Sequence, residues 1–219
     1  MRIIDVQQGT PEWLAARAGK VTASRISDVM AKGKSGGESA SRAKYRAQVV
    51  TEILTGRPAE QTFKSAAMDR GNEKEPEARA ATEAKRGILI SQVGVVLHPE
   101  SDRAAASPDG LVNWDGESDP EVITQFKCPE THTHMEYLLT KKVPTDYFLQ
   151  MQWEMRCTGA KRCLFVSFDD RVPEFLHLSI VEVERDDAKI KEIEAEVEKF
   201  NKEVDEMLER LCALAEEEA

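Results

Sequence analysis

Cysteine is scarce: Cys128, Cys157, Cys163 and Cys212 are the four present, and none forms a CxxC pair. Scattered thiols argue against a zinc cluster, which needs closely spaced ligands. They read instead as reduced and mostly buried side chains. Long apolar runs are also missing, since nothing approaches the roughly 18–20 residues that span a bilayer. The apolar stretch ahead of Asp5 is too short for a signal peptide. The expectation is a cytoplasmic protein, in a bacterial or phage-infected cell, with no membrane partner. There is no internal repeat and no long linker. The one low-complexity stretch, KGKSGGESAS from Lys32 to Ser41, is expected to be a mobile loop.

What is present describes an ordinary folded protein. The chain has 219 residues, 41% of them hydrophobic and 32% charged. That suffices for one domain over residues 1–219 with an unstapled core. The net charge of −10, taken over the whole chain, disfavours nucleic acid as a partner. Its distribution softens the objection, because residues 186–219 hold 13 of the 40 acids and only 5 of the 30 bases. The remainder is nearly balanced and free to build local basic surfaces.

Helix signals dominate the first half. Thr10-Pro11 is a cap followed by a first-turn proline, opening a helix that ends at Gly19. A second helix runs from about Ser24 to Ala31, a third from about Ser41 to Thr55 before Gly56, and a fourth from about Ala66 to Lys85 before Gly87. Runs rich in β-branched residues then predict strands at Ile88–Leu97, Val122–Phe126, Cys163–Phe168 and Phe175–Val183. Helical segments at about Glu130–Thr140 and Pro144–Arg156 separate two of them. The class is α/β, a mixed β-sheet core flanked by helices. At the C-terminus, Ile190, Ile193, Val197, Phe200, Val204, Met207, Leu211 and Leu214 form a heptad seam on a long acidic helix, about 186–218. The seam either packs on its own domain or meets another chain.

The chemical signal is Ser107-Pro108-Asp109-Gly110 followed by Gln125-Phe126-Lys127. Asp109 opens one strand after a tight turn, and short links suggest antiparallel pairing there. Gln125 and Lys127 lie two apart on the next strand and so share a face. Phosphodiester hydrolysis near neutrality needs a divalent metal held by hard oxygen donors, and a nearby lysine to polarise water and offset phosphate charge. Alone, this pattern is short enough to arise by chance, a β-turn and an edge-strand lysine being the plain alternative.

The pattern has company. Trp13…Arg17…Gly19 with Val21-Thr22-Ala23-Ser24, then Gly71-Asn72-Glu73-Lys74-Glu75 with Ala78-Arg79, the Ser107–Leu111 and Gln125–Pro129 blocks, and Tyr147-Phe148-Leu149-Gln150-Met151-Gln152 occur in order. Together they resemble the lambda-type exonucleases, the YqaJ-like viral recombinase family of the PD-(D/E)XK nuclease superfamily, over residues 12 to about 185. The resemblance implies a restriction-endonuclease-like fold and a Mg²⁺-dependent 5′→3′ exonuclease on double-stranded DNA, with two ions and with Mn²⁺ as a substitute. It implies Asp109 as the principal metal ligand, Gln125 at the second carboxylate's position, the Phe126 carbonyl facing the metal, Lys127 as catalytic lysine and Glu75 holding a metal-bound water or second ion. Gln150 would orient water or phosphate. Arg17, Thr22 and Ser24 match a pocket for the 5′-terminal phosphate, and Met68 matches an apolar wedge between terminal base pairs. Read without the family, Glu75 is a partner for Arg79, Gln150 an ordinary helical glutamine, the pocket residues caps and a surface arginine, and Met68 a core methionine. The family further implies a homotrimeric ring on DNA ends and a single-strand annealing partner. His132 and His134 receive no role.

One block departs from the pattern. Gln125 matches glutamate in size but has no charge and only one oxygen, so a weakened metal site is expected. It suggests a Glu→Gln change that impairs catalysis. Two other readings stay open: a junction resolvase or restriction-like endonuclease, and a non-catalytic protein that binds DNA ends.

Overall fold

The computed structural model describes residues 1–33, 37–59 and 66–217; side chains at 66–68, 72 and 215–217 lie outside the description. Strands β1 (Arg2–Ile4), β2 (Val21–Thr22), β3 (Ile90–Ser91), β4 (Val95–His98), β5 (Ser101–Ala106), β6 (Gly110–Val112), β7 (Val122–Lys127), β8 (Arg162–Phe168) and β9 (Leu178–Glu184) build two mixed sheets. One has the order β1-β4-β5-β2 and the other β3-β6-β7-β8-β9. Helices are α1 (Pro11–Arg17), α2 (Ile26–Met30), α3 (Ala40–Thr55), α4 (Ala66–Arg86), α5 (Thr131–Thr140), α6 (Thr145–Thr158) and α7 (Asp187–Glu217). The mixed α/β architecture agrees with the sequence.

Local signals explain most helix ends. The Thr10 side chain accepts from Trp13 N at 3.3 Å, and Pro11 occupies the first turn of α1. Ser39 caps α3 and Gly56 ends it at φ 62°. The α2 region is shorter than predicted, because Ala23–Arg25 is a 3-10 turn. Residues 34–36 of the low-complexity stretch lie outside the described residues, while Lys32 and Glu38 on either side pair in an isolated antiparallel bridge.

The strands show where sequence falls short. The predicted run Ile88–Leu97 is two strands in different sheets, divided at Val93-Gly94. At Gly94 any side chain would meet the backbone of Ile4 and Val6. The predicted Phe175–Val183 strand begins late, at Leu178, because Phe175 and Leu176 belong to a 3-10 turn, Glu174–Leu176. β1 and β2, RII and VT, are β-branched but too short to stand out, and β5 reads SDRAAA, its alanines strand by pairing and burial alone.

β7 and β8 run parallel, joined by the crossover through α5 and α6, while β6 and β7 are antiparallel with Gly110 opposite Thr124. Helix α6 is buried almost all round, with Leu149, Met151, Gln152, Trp153, Glu154 and Met155 inside. Ile190, Ile193, Val197, Phe200 and Val204 bury the first turns of the α7 seam, and Phe200 stacks on Tyr45 at 5.3 Å. Leu211 and Leu214, further along it, are exposed. Among the described residues no helix is long and apolar enough to cross a membrane.

Candidate active site

The loop between β5 and β6 carries Asp109, and its position is set from several sides. Asp109 N donates to Thr124 O at 3.1 Å, and Gln8 Nε2 donates to Pro108 O at 2.9 Å and Val93 O at 2.8 Å. At Gly110 a Cβ would collide with the Ile90 side chain and lie 2.8 Å from Thr124 Oγ1. Glycine there lets the two strands close tightly beside Asp109.

Across this pair, β7 brings Gln125 to the same carboxylate. Gln125 Nε2 donates to Asp109 Oδ2 at 2.6 Å, and Phe126 N donates to the same oxygen at 2.6 Å. Phe126 thus meets Asp109 through its N–H, whereas the resemblance puts its carbonyl toward a metal. Two residues past Gln125, the Lys127 ammonium lies over the Tyr147 ring at 4.7 Å. Its charge acts on both Asp109 and Glu75. Gln125 thus contacts Asp109 directly, and Lys127, two residues on, is near enough for its charge to act on that carboxyl.

Helix α4 supplies the fourth side. Arg79 Nη2 donates to Glu75 Oε1 at 2.5 Å and to Asp109 O at 3.3 Å. The plain reading of Glu75, an i,i+4 partner of Arg79, holds, and the same guanidinium reaches Asp109 O. Burial raises the Asp109 carboxyl to about 7; Lys127 opposes that, Glu75 adds to it, and the Phe126 N–H opposes it. Burial likewise raises Glu75, with Arg79 and Lys127 opposing.

Gln150 projects from α6 into the same cluster, donating through Nε2 to Gln125 Oε1 at 2.8 Å and to Glu154 Oε1 at 2.8 Å. Glu154 was not singled out from sequence. It is wholly buried, its Oε2 has no hydrogen-bond partner among the described residues, and burial raises its carboxyl to about 8. The available signal was a charge four residues after Gln150, inside a helix whose neighbouring positions are apolar.

A cleft of about 810 Å³ is lined by Trp13, Arg17, Lys20, Thr22, Ser24, Arg25, Lys44 and Tyr45, among others. Arg17 stacks on Trp13 at 4.0 Å from the ring centroid and donates to Ser24 Oγ at 3.3 Å. Desolvation in the cleft lowers the Arg17 pKa. Thr22 is buried, and its backbone N–H donates to Tyr45 Oη at 3.1 Å. Trp13 Nε1 donates to Ser107 Oγ at 3.1 Å, so Ser107, two residues before Asp109, joins cleft to carboxylates. Sequence had assigned Ser107 to the turn alone. Four bases face two acids, Asp28 and Glu52, in this cleft, giving its lining a net positive charge. Met68 falls in the first turn of α4, with its side chain outside the described residues. His134, given no role, is a satisfied core histidine bonded to Ser167 Oγ at 2.7 Å and Leu176 O at 2.8 Å.

Two desolvated carboxylates, an amide and a lysine define a hard, oxygen-rich site with room for charge neutralisation. Asp109, raised by burial and by Glu75, is the kind of group a divalent cation would return to its ionised form. Among the described residues no group of three His, Cys, Asp or Glu side chains is placed to hold a metal, so this set of two carboxylates fits at most an ion that keeps several of its waters, as Mg²⁺ does.

Residues 12–161 match the family model of the YqaJ-like viral recombinase domain, and the chain belongs to that family. Its architecture is shared with LHK-Exo, an alkaline exonuclease from Laribacter hongkongensis, at TM-score 0.85 and 43% identity over 96% of this chain and 100% of that one. The LHK-Exo complex with dAMP superposes at TM-score 0.86, also with 43% identity and the same coverage. A phage-related exonuclease from Haemophilus somnus 129PT shares the fold at TM-score 0.68 with 18% identity, over 88% and 96% of the two chains. No curated protein matches the sequence.

Proposed function

We propose that the protein is a Mg²⁺-dependent 5′→3′ exonuclease acting on double-stranded DNA from 5′-phosphorylated ends. It releases mononucleotides and leaves a 3′ single-stranded tail for recombination. The observation carrying this reading is the hydrogen-bonded cluster of Asp109, Gln125 and Gln150, with Glu75 tied to it through Arg79, beside a basic cleft joined to it through Ser107. Homology to an alkaline exonuclease, one form of which was solved with dAMP, supports a mononucleotide product.

In this reading Asp109, the Gln125 amide oxygen, the Phe126 carbonyl and Glu75 hold the cation side of the site. One or two Mg²⁺ ions bound there, or Mn²⁺ in their place, would supply charge neutralisation at the scissile phosphate and a lowered pKa for attacking water. Lys127 holds that water and offsets charge building on the phosphate. Gln150 orients it through its carboxamide. Arg17, Thr22 and Ser24 seat the terminal phosphate with a guanidinium and hydroxyls, and Met68 props the end open. The same family reading makes the active form a homotrimeric ring around DNA, working with a single-strand annealing protein.

Gln125 is the weak member, since its NH₂ group points at Asp109. That contact favours a second reading, a DNA-end-binding protein with little or no turnover. Restoring the carboxylate separates the two. Gln125→Glu is expected to raise Mg²⁺-dependent digestion of 5′-phosphorylated linear duplex by upward of roughly a hundredfold. Absence of any gain, with binding to the ends retained, would establish the binding protein instead.

A further inference from the structure

Behind Asp109 the side-chain hydrogen bonds form one chain with a carboxylate at each end. Gln125 Nε2 donates to Asp109 Oδ2 at 2.6 Å, and Gln150 Nε2 donates both to Gln125 Oε1 and to Glu154 Oε1, each at 2.8 Å. An ionised carboxylate only accepts, while each carboxamide has one accepting oxygen and one donating NH₂. Once both carboxyls are ionised, above about pH 8, acceptors at both ends dictate the direction of every link between them. Gln150 must give its two hydrogens to its two neighbours. Gln125 must accept with its oxygen and turn its NH₂ to Asp109.

A cation on Asp109 requires the reverse. The Gln125 oxygen would have to face the ion, which sets its NH₂ against that of Gln150. Gln150 must then turn as well, and its oxygen meets Glu154, which can satisfy it only by carrying a proton. The two amides turn together or not at all.

We propose that Glu154 is a positioning residue: acting through Gln150, it sets which end of the Gln125 amide faces Asp109, and thereby how tightly the pocket holds a divalent cation. The proposal rests on the metal-site reading given above. Packing alone does not explain this side chain, because a wholly buried carboxylate with one unpartnered oxygen is costly and an apolar residue of equal size avoids that cost. Besides Gln150 it faces Asp109, which reinforces the upward shift of its carboxyl caused by burial, and Lys127 and Arg17, which oppose it.

The test is Mg²⁺ affinity by titration calorimetry at pH 9, above the value of about 8 to which the Glu154 carboxyl is raised. Glu154→Gln and Glu154→Met are compared with the unaltered protein, each alone and combined with Gln125→Glu, with Asp109→Asn as control. Thermal unfolding identifies variants that fold, and either substitution suffices. Releasing the lock is expected to tighten Mg²⁺ binding by roughly three- to tenfold, the worth of about one hydrogen bond. The sign is diagnostic, because removing a negative charge by itself weakens cation binding. With Gln125→Glu, whose carboxylate has no NH₂ end, the same change at Glu154 is expected to give no gain. Unchanged or weaker binding in the Glu154 variants, with Asp109→Asn still abolishing it, overturns the lock and leaves the metal site standing. Binding indifferent to Asp109→Asn in every background overturns the metal site, and the lock with it.

Discussion

Asp109 and Glu154 sit in the fold with carboxyls raised to about 7 and about 8, chiefly by burial, against ordinary values near 4. A raised acid favours the folded state when protonated, so its contribution is complete below about pH 4 and is lost as pH climbs through the folded value. The metal-free protein is therefore expected to lose thermal stability from about pH 4 up to pH 8. Asp109→Asn or Glu154→Gln should each flatten that slope, as unfolding curves in chelator across the range would reveal. A slope identical in all three proteins would mean that other groups control it. At this scale the sequence was informative about Asp109, Gln125 and Lys127, because a two-residue strand period puts the latter two on one face. It was silent on Glu154, since only packing around α6 turns an ordinary Gln-xxx-Glu spacing into a buried, half-partnered carboxylate.

Among the elements, α7 divides along its length. Its early seam residues are core, with Phe200 fully buried against Tyr45 and under the Arg42 guanidinium, while Leu214 is 56% exposed. Phe200→Ala is expected to destabilise by about 3–5 kcal/mol, through lost transfer energy and the cavity left behind. Leu214→Ala should stay within about 0.5 kcal/mol in the isolated chain. Denaturant melts of the two variants check the contrast, and equal losses would show the whole seam to be core. The helix's acidity is partly met within the fold: Arg42 pairs with Glu196 at 3.3 Å and Glu203 at 3.0 Å, and Arg46 pairs with Glu203 at 3.2 Å. The expected own-domain packing thus holds for the first turns of the seam, while Leu211 and Leu214 stay exposed. The α4 anchor is similar in kind. Buried Asp169 accepts from Arg70 at 3.0 Å, from Arg171 at 2.8 Å and from Thr131 at 2.6 Å, tying the helix that carries Glu75 to the end of β8.

For the whole molecule, an end-dependent enzyme and an internal cutter share the same carboxylate pocket and differ in what surrounds it. The basic cleft around Arg17, adjoining the site through Trp13 and Ser107, favours recognition of a terminus. With Gln125→Glu in place to restore activity, linear duplex should be digested and covalently closed circular DNA left intact on an agarose gel. Cutting of the circle would point to an endonuclease of the same superfamily.

Periodicity and capping in the sequence determined the helices and the two strands of the motif, because those signals are local: a Thr-Pro start, a glycine stop, a two-residue alternation. It also determined the family, through blocks of residues kept in order along most of the chain. Only tertiary structure decided that β1, β2 and β5 exist, since an alanine segment becomes a strand by being paired and covered. Packing alone brought Ser107 to Trp13 and Gln150, with Glu154 one turn on along α6, to Gln125. Hydrogen-bond direction in that cluster is likewise a property of the assembled site, because it depends on which groups lie at both ends, residues that are distant in sequence and meet only when the sheets and α6 close on each other.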